Sequence, residues 1–284
     1  MEIKKVGIVA MTGIMGTGIG QACAQSGYQV IGSSRSQANI DKAIASINSS
    51  MAKSVERNTM TQADKDAAMA RIKGTTSMND FADCDLVIEA AVEDMALKKG
   101  IFAELDKICK KDAIIASNTS CLSILDLAIV TGRPEKVCGV HFFNPVRAMK
   151  LVELVKTIVT SDDTLASSKK FCESLGKTVV IAKDAPGFIV NRLMTPFILN
   201  AIKMLENGVA SREDIDTAIN LGLNHPMGPL TLVDLIGLDT FTFFADAQYE
   251  SFKEDQFVVP TLLRKMVAAG WLGRKTKKGF YDYK

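Results

Sequence analysis

An α/β N-terminal part built on a parallel sheet, followed by an all-α C-terminal part, is the architecture this sequence predicts. Three observations predict it. Short branched apolar runs alternate with helical stretches as far as residue 183, the pattern of strands joined by crossover helices. After Asp184-Ala185-Pro186-Gly187 no strand pattern recurs and helical periodicity takes over. At 284 residues the chain lies where single cores stop growing, roughly 250–300 residues, so two domains are expected, 1–184 and 185–284.

Residues 6–10 read as a short buried strand, 11–16 as a turn, 17–25 as a helix closing at Gly27, and 29–32 as a second strand. A β–turn–α–β unit sets a helix N-terminus against a dinucleotide pyrophosphate, which makes 1–184 a Rossmann-like dinucleotide-binding domain by expectation. The turn Ala10-Met11-Thr12-Gly13-Ile14-Met15-Gly16 does not spell G-x-G-x-x-G. Gly13 and Gly16, with Ile14 and Met15 between them, remain candidates for the close approach, and other residues must make the first bend. Glycine-rich turns of this kind also occur in flavin-binding, nucleotide-binding and purely structural βαβ units.

After the second strand, where NAD sites usually present Asp or Glu to the ribose, stand Ser33-Ser34-Arg35-Ser36, with no carboxylate before Asp41. Hydroxyls with an arginine suit a 2′-phosphate, so Ser34 and Arg35 tilt the expected cofactor from NAD(H) to NADP(H). The structural alternative is a plain helix cap by Ser34 or Ser36.

A helix over 37–57 follows, with Ile40, Ile44, Ile47, Met51 and Val55 as its apolar stripe. Lys53 and Arg57 lie one turn apart off that stripe and can meet one anion, although paired cations on an exposed face are commonly only solvated. Thr61 with Asp64 caps a second helix over 62–72, and the two form a helical hairpin insertion. Strands follow at 86–89 and 114–116, separated by Glu93 and a helix over 96–110. The Ser117-Asn118-Thr119-Ser120 loop then lies at the C-terminal edge of the sheet, where open parallel sheets hold ligands. A strand over 137–140 delivers His141 to that edge, and strands at 151–155 and 178–181 complete the set.

In the C-terminal part, a helix over 187–207 carries Pro196 as a kink and Gly208 as its stop. Ser211 with Asp214 caps the next, and 230–248 and 259–269 supply two more. Its Leu, Ile, Phe and Met content exceeds what one bundle needs, which points to a subunit interface.

His141 is one of two histidines in the chain, and histidine is the side chain whose ordinary pKa lies nearest neutrality. Glu153, the hydroxyls of Ser117, Thr119 and Ser120, and the amides of Asn118 and Asn144 lie in or beside nearby apolar runs, an inventory sufficient for proton transfer. A buried histidine bonded to backbone is the competing reading.

Composition excludes several classes. Apolar residues make up 47%, charged residues 23%, and 34 basic against 32 acidic residues leave +2, so no general affinity for nucleic acid or membrane is expected. Lys4-Lys5 followed by an apolar run imitates a signal peptide, but Gly7, Gly13, Gly16 and Gly18 interrupt the run and the following strand completes a folded unit. Six scattered cysteines, with no C-x-x-C pair, predict reduced thiols in a cytoplasmic protein and neither a disulfide framework nor a metal site. Cys121, beside Ser120, reads as a small buried hydrophobe.

Taken together, Ser-Asn-Thr-Ser (117–120), His-Phe-Phe-Asn-Pro (141–145), Lys-Leu-Val-Glu (150–153), Ala-Pro-Gly-Phe-Ile-Val-Asn-Arg (185–192), Asn-His-Pro-Met-Gly-Pro-Leu (224–230) and Gly-Trp-Leu-Gly-Arg-Lys-Thr (270–276) resemble the L-3-hydroxyacyl-CoA dehydrogenases, in particular the bacterial 3-hydroxybutyryl-CoA dehydrogenases. The similarity runs through the chain in order. It implies hydride transfer between a nicotinamide cofactor and C3 of a 3-hydroxyacyl-CoA, with His141 as acid and base and Glu153 as its partner carboxylate. By the same resemblance Ser120 and Asn191 fix the reacting oxygen, Glu93, Lys98, Asn118 and Asn144 lie on the cofactor side, and Lys53 and Arg57 lie near coenzyme A phosphates. It implies a homodimer joined through the helical domains and a structural role for His225. Two departures, the lengthened turn and the Ser-Ser-Arg sequence in place of an Asp, both fall on the cofactor. The rival readings are a dehydrogenase of a small sugar acid and a non-catalytic relative that has lost the dinucleotide.

Overall fold

A computed structural model describes residues 1–284, and the chain divides into two compact units, Met1–Asp184 and Ala185–Lys284. The first unit is built on eight strands: β1 (Lys5–Val9), β2 (Gln29–Ser33), β3 (Ile72–Thr75), β4 (Leu86–Glu89), β5 (Ile114–Ser117), β6 (Val137–Phe142), β7 (Leu151–Lys156) and β8 (Thr178–Lys183). They form one sheet in the order β3-β2-β1-β4-β5-β6-β7-β8, in which every neighbouring pair is parallel except β6 and β7. The chain leaves β1 to one side for β2 and later returns to its other side as β4, so the order reverses at β1 and opens a crevice at the C-terminal ends of these strands.

Strands β4, β5 and β6 are buried along their whole length, as a parallel sheet covered on both faces requires. Helices α1 (Ile14–Gln25), α2 (Gln37–Glu56), α3 (Gln62–Ala70), α4 (Met95–Ile108), α5 (Ile124–Ala128) and α6 (Asp162–Ser174) complete the unit. Side chains cap most of them at predicted or newly visible positions: Ser36 accepts from the Asn39 amide and Thr61 from Asp64, while Asp94, Ser123 and Ser161 do the same for α4, α5 and α6.

The predicted helix over 62–72 ends at Ala70, because Ile72–Thr75 pairs with β2 as an edge strand, Ile72 opposite Val30. Its Ile-Lys-Gly-Thr sequence alternates too weakly to announce a strand, and pairing decides its state. Helix α1 begins three residues earlier than predicted.

The second unit is helical: α7 (Val190–Glu206), α8 (Arg212–Gly222), α9 (Pro229–Ile236), α10 (Leu238–Phe252) and α11 (Thr261–Ala268). Ile198, Leu199, Ile202, Leu230, Val233, Phe241 and Leu263 form its core. The helix predicted from Gly187 starts at Val190, since Gly187 and Phe188 take φ of 80° and 46°. The helix predicted over 230–248 is two helices, broken at Gly237, whose φ of 101° lies outside any helix. Buried Asp234 accepts from the amides of Phe280 and Tyr281 (both 2.9 Å) and from the Tyr283 hydroxyl (2.9 Å), tying down the C-terminal segment. No helix of the chain is long and apolar enough to cross a membrane.

Candidate active site

The antiparallel register of β6 and β7 sets His141 directly opposite Glu153. The His141 Nδ1–H donates to Glu153 Oε2 at 2.7 Å, with the histidine 4% and the glutamate 0% exposed. The Phe143 ring packs against the imidazole at 4.5 Å between centroids. A carboxylate so placed selects one tautomer, orients the ring and stabilises its protonated form.

A second group of residues gathers at the ends of β4 and β5. Asn118 Oδ1 accepts from the Phe142 amide at 2.9 Å, which joins the 117–121 loop to the strand that carries His141. Glu93 Oε1 accepts from the Thr119 hydroxyl (2.7 Å) and the Ser120 amide (2.8 Å), so it shapes the loop at Ser120. Behind the loop lies Glu89, the last residue of β4, fully buried and paired with the Lys98 ammonium at 2.7 Å. Cys121, next in the chain to Ser120, is buried, and burial, with the Glu93 carboxylate adding to it, pushes its thiol up to about 12. A thiol so placed is a neutral packing group at neutral pH.

The Lys98 ammonium is 1% exposed and meets Glu89 at 2.7 Å, Glu93 at 3.3 Å and the Ala91 carbonyl at 3.2 Å. Glu89 is a carboxylate ending the apolar run Leu86-Val87-Ile88, and that position is itself a signal of a buried, paired charge.

The crevice at the reversal of strand order holds a cavity of about 770 Å³. Ala10, Thr12 and Gly13 of the β1–α1 turn, Ser34 and Arg35 after β2, and Ala90 and Ala91 after β4 line it. The first bend is made by Ala10, which takes φ of 58° in place of a glycine. The Met11 amide donates to the Ser33 carbonyl (3.0 Å), the Thr17 hydroxyl donates to the Met11 carbonyl (2.8 Å), and the Met11 side chain is wholly buried. A Cβ on Gly16 would stand 2.6 Å from the Ala10 carbonyl, so α1 closes against the turn only because that residue is glycine. Gly13 caps α1 without a side chain, which leaves the first-turn amides to an anion. The residues present therefore fit a dinucleotide in this crevice.

Of the remaining expected site residues, Ile14 is 77% exposed beside the turn and Met15 packs on the core. Ser36, not Ser34, is the cap of α2, and Ser34 stands with its hydroxyl 3.4 Å from that of Thr12 in the β1–α1 turn. Lys53 and Arg57 are exposed in and just past the last turn of α2, and Asn144 is exposed between β6 and β7. Asn191, in the second unit, is 7% exposed in the first turn of α7, and its carbonyl accepts from Thr195, whose hydroxyl in turn accepts from Gln248. Nowhere do three or more His, Cys, Asp or Glu side chains converge as a metal site needs.

Comparison with known proteins agrees with this geometry. The family described as 3-hydroxyacyl-CoA dehydrogenase, NAD binding domain, matches residues 5–185, and the C-terminal domain of the same family matches residues 187–283. The 3-hydroxybutyryl-CoA dehydrogenase of Bradyrhizobium diazoefficiens is 46% identical over 282 residues, 99% of this chain and 96% of that protein. The protein of the same name from Clostridioides difficile is 46% identical over 272 residues, covering 96% and 97%. The crystal structure of (S)-3-hydroxybutyryl-CoA dehydrogenase from Ralstonia eutropha superposes with a TM-score of 0.97 at 46% identity, covering all of both chains. Matched in order through both domains, this chain belongs to the 3-hydroxyacyl-CoA dehydrogenase family.

Proposed function

We propose that the chain interconverts (S)-3-hydroxybutyryl-CoA and acetoacetyl-CoA, with His141 exchanging the hydroxyl proton. The observation that carries this reading is the buried His141–Glu153 pair, 2.7 Å apart at the C-terminal edge of β6. Because Nδ1 donates to Glu153, Nε2 is the nitrogen that meets the substrate. In oxidation it takes the C3 hydroxyl proton while Glu153 stabilises the resulting imidazolium, and in reduction it returns that proton. A bound nicotinamide cofactor accepts or supplies the hydride. Ser120 donates to the reacting oxygen, where charge develops during reduction, and Asn191 keeps the substrate role its motif implies. Asn118 and Asn144 border the nicotinamide, and Lys53 with Arg57 meets the phosphates of coenzyme A.

NADP(H) is the proposed cofactor. Ser34 and Arg35 line the crevice with no carboxylate beside them, and a neighbouring cavity that shares Thr12 and Asn39 is lined by Lys42. Cations and hydroxyls at that end favour a 2′-phosphate over a bare ribose. A homodimer through the helical units is supported by Leu193 and Leu221, 70% and 81% exposed. Six unpaired thiols support a cytoplasmic setting.

The test is initial-rate reduction of acetoacetyl-CoA with NADPH and with NADH on one preparation. A clear NADPH preference is expected. An NADH preference keeps the reaction and overturns the cofactor assignment, and no rate with either overturns the reading.

A further inference from the structure

The first turn of α7, which carries Asn191, has little in its own sequence to fix its direction. Ile189, the residue before it, has no side-chain oxygen to cap the helix, and Pro196 has no amide to give the Arg192 carbonyl. Helix α10 supplies what these residues lack. The Gln248 Nε2 donates to the Thr195 hydroxyl oxygen at 2.9 Å, and the Thr195 hydroxyl donates to the Asn191 carbonyl at 2.7 Å. A hydroxyl has one proton, so a donor placed on its oxygen leaves that proton free for the Asn191 carbonyl. Both Gln248 and Thr195 are wholly buried. The Gln248 amide also lies against Gly187, where an added Cβ would stand 3.0 Å from its Cδ and its Nε2. One turn further along α10, the Phe252 ring carries the Arg192 guanidinium 4.0 Å from its centroid.

Stability alone does not account for a glutamine at this place. Its Oε1 finds no donor in the protein, and a buried carbonyl left so costs free energy that an apolar side chain of similar size would not. Helix direction does account for it. A threonine hydroxyl bonded to the carbonyl one turn earlier bends a helix, and here the bonded carbonyl belongs to Asn191. We propose that Gln248 and Thr195 are positioning residues that set the run of the first turn of α7, and with it the reach of Asn191 toward the substrate. This rests on the substrate role proposed for Asn191. Because a displacement of about 1 Å is enough to misplace a reacting group, loss of either bond lowers kcat/KM for the acyl-CoA and leaves cofactor affinity alone.

The test uses the full chain. Thr195→Val keeps the shape and removes the hydroxyl, Thr195→Ser keeps the hydroxyl, and Gln248→Met removes the donor at similar length. Asn191→Ala and the double variant Asn191→Ala/Thr195→Val complete the set. Thermal midpoint, cofactor Kd, kcat/KM for acetoacetyl-CoA and amide hydrogen exchange across residues 190–195 are measured on each. Thr195→Val and Gln248→Met are expected to keep midpoint and cofactor Kd near wild type, to lose about tenfold in kcat/KM, and to exchange faster in the first turn of α7. Thr195→Ser should stay within about threefold of wild type, and Thr195→Val should add nothing to the loss caused by Asn191→Ala, because both act on one contact. Wild-type kcat/KM in Thr195→Val and Gln248→Met overturns the proposal, as does a full further loss in the double variant. Should one of the two single variants fail to fold, the other carries the decision. If the wild-type chain itself has no turnover, the functional reading fails separately, and the exchange result alone decides whether Gln248 and Thr195 hold the turn.

Discussion

Glu153 meets His141 because the two residues face each other across an antiparallel pair, and in such pairs opposite side chains are the closest neighbours two strands can offer. The carboxylate is wholly buried, so its charge acts on the ring with little screening. Glu153→Gln keeps an oxygen for Nδ1–H and removes the charge. It should lower kcat by roughly 10²-fold while leaving the cofactor Kd unchanged, which steady-state rates and cofactor titration would show. Retained kcat would reduce Glu153 to a packing residue. The thiols behave differently: burial pushes Cys23 and Cys84 up to about 12, leaving them neutral at neutral pH.

At the scale of elements, the β1–α1 turn keeps its function by exchanging glycines for packing. Met11 fills the space above Gly32 of β2, where an added Cβ would lie 2.0 Å from the Met11 sulfur. Gly32→Ala should therefore destabilise the chain by about 1–3 kcal/mol, and replacing Met11 by Ala in the same chain should recover part of that loss in thermal melts. Strand β1 is fastened at its start by Asp85, which accepts from the amides of Lys4 (2.7 Å) and Lys5 (2.8 Å) and pairs with Lys110. Burial alone would raise the Asp85 pKa, but the Lys110 ammonium and the two amides outweigh it and hold it below the ordinary carboxylate value. A lowered pKa contributes stability above the unfolded value, about 3.9, and the contribution disappears as pH falls through the folded value. Asp85→Ala should thus lower stability by about 1 kcal/mol at pH 7, and the gap from wild type should narrow in melts below about pH 4. A gap independent of pH would contradict this account.

Across the whole molecule, the sheet with helices on both sides and the helical second unit are legible in the sequence because their signals are periodic and local. Buried parallel strands read as apolar runs such as Leu86-Val87-Ile88, and caps such as Ser36, Thr61 and Ser211 announce helix starts. Strand β3 and the break at Gly237 are not legible, since one depends on pairing with β2 and the other on a single φ. In the site, His141 and Glu153 stand out by residue type, whereas their pairing needs the register of β6 and β7. Lys98 shows the limit most clearly: nothing local in the sequence announces its pairing with Glu89, which the fold alone brings about. The central claim is that one buried imidazole moves the proton, and the most direct measurement is His141→Gln assayed for acetoacetyl-CoA reduction alongside cofactor titration. Turnover reduced by roughly 10²–10⁴-fold with cofactor affinity nearly unchanged is the predicted result, and near-full turnover would contradict it.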